Sequence, residues 1–503
     1  MNATPAEAAL VRLSHGGRVR GQCTDGGVAY RGVPFAQPPT GALRFAPPLP
    51  AAGWRGERDC TQPGPAAPQV PRGNPGAVLG DPDCLRLNLW APAGAAPGAA
   101  LPVMVWVHGG GFMRGSASEP LYDGAAFARA GVVFVALQYR LGVDGFMHFP
   151  GVPANRGLLD LLEGLRWVRR EIGNFGGDAG RVTLFGQSAG GGAVACLMGL
   201  PAARGLFQQA ALQSPSITCH NLADAALARE AVAGLLGVPA TLDALAGVPL
   251  PVLLRAVQRL SVDAALRVRW GLGPRHFFPL RPVVDGELLR APPVAALRRA
   301  AAGQGAVRGV LVGANAQEMR LYHVPGGALD RFTLADARAF AAQMGLPPGA
   351  PERYAPERGA AHAGELLCRL QTDGYYRAPA RQIARASEAA GRRTFFYEFD
   401  WHSPQWNGQL GAAHGVELPF VFRTLDTPAG RELAGPAPPA ALAQAMHGAW
   451  LRFAREGDPG WPAYTARAPW QRRFDTVSHD ECMPASEAGL DLWDAADAPD
   501  APA

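Results

Sequence analysis

Apolar residues recur along this chain at two spacings, and the alternation of those spacings lays out its elements. Leu101–Val107 and Gly131–Leu137, the latter running on to Tyr139, are apolar runs too short for helices, and they predict strands covered on both faces. Cys84–Trp90 alternates apolar and polar residues, the mark of a half-buried strand. From Gly157 to Ile172 the spacing changes: Leu158, Leu161, Leu162, Leu165, Trp167 and Val168 share one face of an amphipathic helix. Arg181–Phe185 returns to a strand pattern, and Gly191–Met198, small residues followed by larger apolar ones, predicts a buried helix. Further strands are expected at Gln208–Gln213, Gly309–Gly313 and Thr394–Phe399. Residues 221–270 and 330–392 and a last helix, Pro438–Glu456, are helix-rich, with 330–392 expected as a cap or side insertion. Near the start, Arg18–Cys23 and Gly27–Val33 flank Asp25-Gly26-Gly27, a hairpin signal. Pro34–Pro50 reads as extended chain.

Buried strands alternating with amphipathic helices predict an α/β fold, a large central and mostly parallel sheet with helices on both faces and helical insertions. At 503 residues the chain exceeds the usual domain size. Large α/β proteins often grow by loop insertion, so one extended domain over 1–503 is expected, with a frayed tail from about Gly489.

Composition narrows the function only modestly. With 48% hydrophobic and 18% charged residues the chain is ordinary for a globular protein. A net charge of +5 over this length gives no footprint for nucleic acid. All 47 basic residues are arginine, which together with abundant Ala, Gly and Pro reads as a bias of the source. The opening residues lack the basic head and apolar run of a secretory signal, and no apolar stretch is long enough to span a bilayer. The expectation is a cytoplasmic protein without a membrane partner. Seven dispersed cysteines without Cys-x-x-Cys spacing argue against a metal site, and no cofactor is implied.

Candidate chemistry centres on Gly186-Gln187-Ser188-Ala189-Gly190. A serine at a sharp strand-to-helix turn sits in a strained conformation. Glycines two before and two after it remove the Cβ atoms that would clash as strand and helix cross. A serine hydroxyl needs a base, normally a histidine held in one tautomer by a carboxylate. Of the histidines after Ser188, His414 lies in a loop of small residues, Gly411 to Glu417, after the Thr394–Phe399 strand, with His402 as its rival. Glu318 directly follows the Gly309–Gly313 strand. An oxyanion needs preorganised N–H donors. His108-Gly109-Gly110-Gly111-Phe112, three glycines after a buried strand, can turn amides inward, and Ala189 adds another.

At this point the chain resembles the type-B carboxylesterase family of α/β-hydrolases, which includes cholinesterases and bacterial para-nitrobenzyl esterases. The resemblance runs in order through Gly32-Val33-Pro34-Phe35-Ala36, Asp83 to Asn88, His108 to Phe112, Asn155-Arg156-Gly157-Leu158 and Asn174 to Asp178. It continues through Val182 to Gly191, Pro282 to Gly286, Glu318, Asp373 and His414 to Pro419. It implies Ser188 as nucleophile, His414 as general base and acid, Glu318 as orienting carboxylate, and Gly110, Gly111 and Ala189 as the oxyanion hole. Ser214 matches a buried serine near the triad acid in this family, although Pro215 stands where the family carries glycine. Phe112, Phe278, Met319 and Phe420 are candidates for lining the substrate pocket. Cys60 and Cys84 match a pair bridged in secreted relatives, while the expected cytoplasmic setting equally allows a reduced pair. Gln187 replaces the glutamate cholinesterases carry, and the Cys60–Cys84 loop has no aromatic residue. Both departures argue against a quaternary-ammonium substrate.

The expectation is therefore a serine carboxylic-ester hydrolase acting on small to medium neutral esters through an acyl-enzyme. An amidase or lipase on the same triad, or a non-catalytic binding protein of the same fold, are the alternatives.

Overall fold

The computed structural model describes residues 10–274, 277–299, 307–354, 363–483 and 489–495. These fall into two units, the first drawn from Met1–Ala211, Ile217–Ala296 and Gly303–Arg308. The second is drawn from Leu212–Ser216, Leu297–Ala302 and Gly309–Ala503.

In the first unit the apolar runs become the middle of a sheet. Its strands are β1 (Gln22–Thr24), β2 (Gly27–Pro34), β3 (Arg86–Pro92), β4 (Leu101–Val107), β5 (Val133–Leu137) and β6 (Gly177–Gln187). Their order is β1-β2-β3-β5-β4-β6. β4 pairs in parallel with both β5 and β6, while β3 runs antiparallel to β5 and to β2. Every residue of β5, and all of β4 after Leu101, is buried, as strands covered on both faces require. β1 and β2 form the hairpin expected at Asp25. Arg18–Arg20 instead joins Leu10–Arg12 and Glu57–Asp59 in a separate small sheet.

The helix expected at Gly157–Ile172 spans Arg156–Glu171 and buries all six apolar residues of the predicted face. Its polar Asp160 is buried as well, because the buried Arg140 reaches it at 2.7 Å. Such a pair is tolerated when its remaining hydrogen bonds are met. Asp160 Oδ2 also accepts from the Arg140 backbone N–H, and the guanidinium donates to the carbonyls of Arg44 and Ala46. Cys60 and Cys84 are buried free thiols, and burial pushes the Cys60 thiol up to about 11.

The chain passes from the first unit into the second inside β7 (Gln209–Gln213). There β8 (Gly309–Asn315), β9 (Arg393–Phe399) and β10 (Trp470–Phe474) are parallel, and β11 (His479–Cys482) is antiparallel to β10. The last two strands carry no apolar pattern and were not expected. They are held by cross-strand polar pairs instead: Arg472 to Asp480 at 2.8 Å, and Arg473 and Gln471 to Glu481, each at 2.8 Å.

Residues 330–392 supply helices at Leu334–Gln343, Ala363–Thr372 and Ala378–Ala389, among others. These share a buried cluster with Phe340, Leu367, Tyr354 and Trp493. Of the stretch from about Gly489, residues 489–495 include the buried Leu490, Leu492 and Trp493, and 496–503 lie outside the described residues. Among the described residues no helix is long and apolar enough to cross a membrane.

Candidate active site

The candidate serine lies in the first unit. β6 ends at Gln187, the helix Ala189–Met198 begins one residue after Ser188, and Ser188 itself has φ 59° and ψ −124°. A non-glycine residue in that region is strained and persists only where its surroundings enforce it. The enforcement is visible at the two flanking glycines. A Cβ on Gly186 would lie 2.6 Å from the Gly190 carbonyl carbon, and one on Gly190 would collide with the Val107 carbonyl oxygen. Strand, turn and helix thus cross at a separation that only glycine permits. Ala189 occupies the first helical position, so its N–H has no partner within the helix.

The glycine run after β4 lies beside this turn. A Cβ on Gly109 would approach Ser188 Cβ to 3.1 Å and Gln187 Oε1 to 2.8 Å. Gly110 has φ 115° and would clash with the Arg114 carbonyl oxygen. Gly111 has φ 64° and sits under the Phe278 ring, 2.5 Å from where its Cβ would be. Phe112, at φ 60°, is buried against Phe146, with ring centroids 4.7 Å apart.

A lock on this loop was not foreseen. His108 is fully buried, stacked on Tyr139 at 4.5 Å, and its carbonyl accepts a 2.8 Å bond from the Tyr139 hydroxyl. Gln138 has its side-chain oxygen occupied by the Ala117 N–H, so its amide nitrogen, 3.2 Å from His108 Nε2, is the donor there. His108 Nε2 then accepts, and Nδ1 carries the proton that reaches the Gly109 carbonyl at 2.8 Å. Burial pushes the imidazole down to about 4, so it is neutral near pH 7. One peptide plane in the glycine run is thereby fixed.

The candidate imidazole and carboxylate both lie in the second unit. Glu318 and His414 meet: His414 Nδ1 is 2.6 Å from Glu318 Oε2, and both side chains are buried. The other carboxylate oxygen accepts the Asn315 backbone N–H at 2.7 Å, and the His414 N–H donates to the Glu318 carbonyl. Gln317 bonds Ala412 through both its backbone N–H and its side-chain oxygen, each at 3.0 Å. The turn after β8 and the loop 411–417 are therefore zipped together.

Glu417, part of the His414 motif but given no role from sequence, lies fully buried in the same cluster. Asn315 Nδ2 donates to it at 2.7 Å, and Gln213 Nε2 at 3.3 Å; Gln213 in turn accepts from Trp450 Nε1 at 3.1 Å. Burial, and then the Glu318 carboxylate, push the Glu417 carboxyl up to about 7, against the pull of Asn315. Ser214, at φ 45°, is buried and donates its backbone N–H to the Gly313 carbonyl. Met319 is fully buried with its N–H on Thr372 Oγ1, and Phe420 packs on Trp401 at 5.0 Å and on Phe399 at 5.6 Å.

Other histidines are engaged elsewhere. His402, the rival base, is 57% exposed and lies 3.6 Å from Asp400. His220 bonds the Pro279 carbonyl, His323 bonds Gln371, and His447 bonds the Val421 carbonyl. His276 and His362 lie outside the described residues. Among the described residues no group of His, Cys, Asp or Glu could hold a metal ion.

A strained serine between strand and helix, with a glycine-rich loop beside it, marks the α/β-hydrolase class. Comparison with known proteins sharpens this. The carboxylesterase family matches residues 7–487. The chain is 34% identical to the para-nitrobenzyl esterase of Bacillus subtilis (strain 168) over 505 residues, 95% of this chain and 97% of that one. It is 35% identical to the fumonisin B1 esterase of Sphingopyxis macrogoltabida over 489 residues, 91% and 85% of the respective chains. A crystal structure of a Geobacillus stearothermophilus carboxylesterase superposes with a TM-score of 0.82 at 34% identity, covering 96% of this chain and all of that one. The chain belongs to the carboxylesterase family and has the α/β-hydrolase fold. It is a carboxylesterase, acting on small-molecule esters by the serine and acyl-enzyme chemistry general to that family.

Proposed function

We propose that Ser188 is the nucleophile, His414 its general base and acid, and Glu318 the carboxylate that orients the imidazole, so that both units work as one catalytic domain over 1–503. The observation that carries this is the 2.6 Å bond between His414 Nδ1 and Glu318 Oε2. It leaves Nε2 of the neutral imidazole unprotonated and able to take the serine proton. The amides of Gly110, Gly111 and Ala189 then stabilise the oxyanion, and Ser214, whose buried hydroxyl has no hydrogen-bond partner among the described residues, is proposed to lie near the acid without bonding it. Ser188 attacks the ester carbonyl, the imidazolium protonates the departing alcohol, and a water activated by His414 releases the acid.

The substrate in this reading is a small to medium neutral ester, free in solution, in the cytoplasm. Gln187 in place of a glutamate and the Cys60–Cys84 loop without aromatics remove what would hold a quaternary ammonium. The modest net charge of +5 supports neither a nucleic-acid nor an anionic-membrane substrate. Phe112 and Phe278, beside the glycine run, are the proposed pocket walls, with Met319 and Phe420 as further candidates. Ser188→Ala tests the assignment. Turnover of para-nitrophenyl butyrate should fall by at least about 10⁴-fold while the thermal melt is unchanged. Wild-type turnover by that variant overturns the reading.

A further inference from the structure

His414 is faced by more than its carboxylate. The Tyr376 ring lies over the imidazole with centroids 4.5 Å apart and planes tilted by 35°, nearer parallel than perpendicular. Tyr322 lies farther out, at 5.8 Å, and its hydroxyl is 3.2 Å from that of Tyr376. Tyr376 is fully buried, and burial pushes its phenol well up, so the ring is neutral at every working pH.

The element that carries Tyr376 is unusual. Asp373–Arg377 is a single π-helical turn between the α-helices Ala363–Thr372 and Ala378–Ala389. Such turns cost regular hydrogen bonding and recur at functional sites. This one is pinned by Arg377, which bonds Asp373 at 2.8 Å and Glu398 at 2.5 Å. It is also tied to the turn bearing Glu318, because Thr372 Oγ1 accepts the Met319 N–H at 3.2 Å. Gly374 lets it pack closely, since a Cβ there would lie 2.5 Å from the Trp493 ring. The tyrosine ring is therefore held by the same framework that holds the carboxylate.

We propose that Tyr376 is a positioning residue for His414: its ring limits rotation of the imidazole and stabilises the imidazolium that forms as the serine proton is taken up. The inference rests on His414 being the general base. An electron-rich ring face attracts a cation within about 6 Å of its centroid. Among the groups that face the imidazole are Glu318, Tyr322 and Tyr376, and Glu417 interacts with it electrostatically. The nearby arginines are engaged away from it, Arg320 with Glu365 and Arg377 with Asp373 and Glu398. Both carboxylates stay in place when position 376 is changed, so a series at that position isolates the ring.

The test compares Tyr376→Phe, Tyr376→Leu and the full-length enzyme carrying pentafluorophenylalanine at position 376, which keeps the shape and reverses the ring's electrostatic face. Tyr376→Phe should keep kcat within about twofold, because the ring remains. Tyr376→Leu should lose roughly tenfold in kcat with little change in KM. In both the leucine and the fluorinated enzymes the acid limb of kcat/KM should move to lower pH by about half a unit, since the imidazolium has lost a stabilising face. If Tyr376→Leu does not fold, the fluorinated enzyme alone decides. An unmoved acid limb in the fluorinated enzyme, or equal losses in Tyr376→Phe and Tyr376→Leu, overturns the proposal. His414→Ala separates the two levels. Retained turnover there removes the base assignment itself, whereas lost turnover with a flat position-376 series removes only the role of Tyr376.

Discussion

Replacing Glu318 with glutamine exchanges one oxygen for an amide nitrogen and breaks the arrangement at a single bond. In the native protein Oε1 accepts the Asn315 N–H at 2.7 Å and Oε2 accepts from His414 Nδ1 at 2.6 Å. Glutamine has only one acceptor. If it stays on Asn315, the NH2 group faces Nδ1 and forces the neutral imidazole into the tautomer protonated at Nε2, which cannot take a proton from serine. The imidazolium also loses its counter-charge. For charge centres about 4 Å apart at an effective dielectric of about 20, that is roughly 4 kcal/mol, to which the lost charge-assisted hydrogen bond adds about 1.5 kcal/mol. At about 1.4 kcal/mol per decade, kcat should fall by roughly 10³- to 10⁴-fold. The assay is initial-rate hydrolysis of para-nitrophenyl butyrate over a range of concentrations, beside a thermal melt of each enzyme. KM should change little, because the lost interaction matters only as charge develops. A well-folded Glu318→Gln enzyme with kcat within about tenfold of wild type would refute this reasoning.

Two further outcomes follow from the glycine run. Gly110→Ala should lower kcat by at least about 100-fold and also lower the melting temperature, because φ 115° is foreign to alanine and the new methyl strikes the Arg114 carbonyl. Unchanged kinetics would show that this amide does not touch the developing oxyanion. His108 makes a prediction about stability. Its pKa is depressed to about 4 in the fold against about 6.5 when unfolded. The unfolded chain therefore binds more protons between those values, and stability is lost as pH falls through that window. The loss is on the order of 3 kcal/mol at most. Urea unfolding of wild type and His108→Gln at pH values near 7.5 and 5 reads the difference, with the variant losing less on acidification. The Glu417 carboxyl, raised in the fold, acts with the opposite sign over nearly the same range. The variant-minus-wild-type difference, rather than the wild-type curve alone, is accordingly the decisive quantity.

What could be read in advance followed hydrophobic pattern and local backbone demand. β4 lies at Leu101–Val107 as expected, because an apolar run of that length beside glycines has few other uses. Ser188 was legible because the glycines that let strand and helix cross so closely stand two residues to either side of it. The pairing of Glu318 with His414, 96 residues apart, was legible only through resemblance to a family, since spacing alone left His402 open. β10 and β11 escaped because their sequences carry little apolar alternation and are joined to each other by polar cross-strand pairs, and such partners become visible only once the strands are side by side. The His108, Gln138 and Tyr139 lock and the raised carboxyl of Glu417 had no linear signal at all. Each depends on which groups are buried together and which oxygens are already taken.

The zipper between the turn after β8 and the loop that follows β9 has a consequence for anyone remodelling this enzyme. Backbone and side-chain bonds from Gln317 to Ala412, from Asn315 to Ala413 and from His414 to Glu318 make the two segments one mechanical part. A graft that imports a new histidine loop without its matching acidic turn would separate the halves of that part. Transplanted together, they should carry their alignment with them.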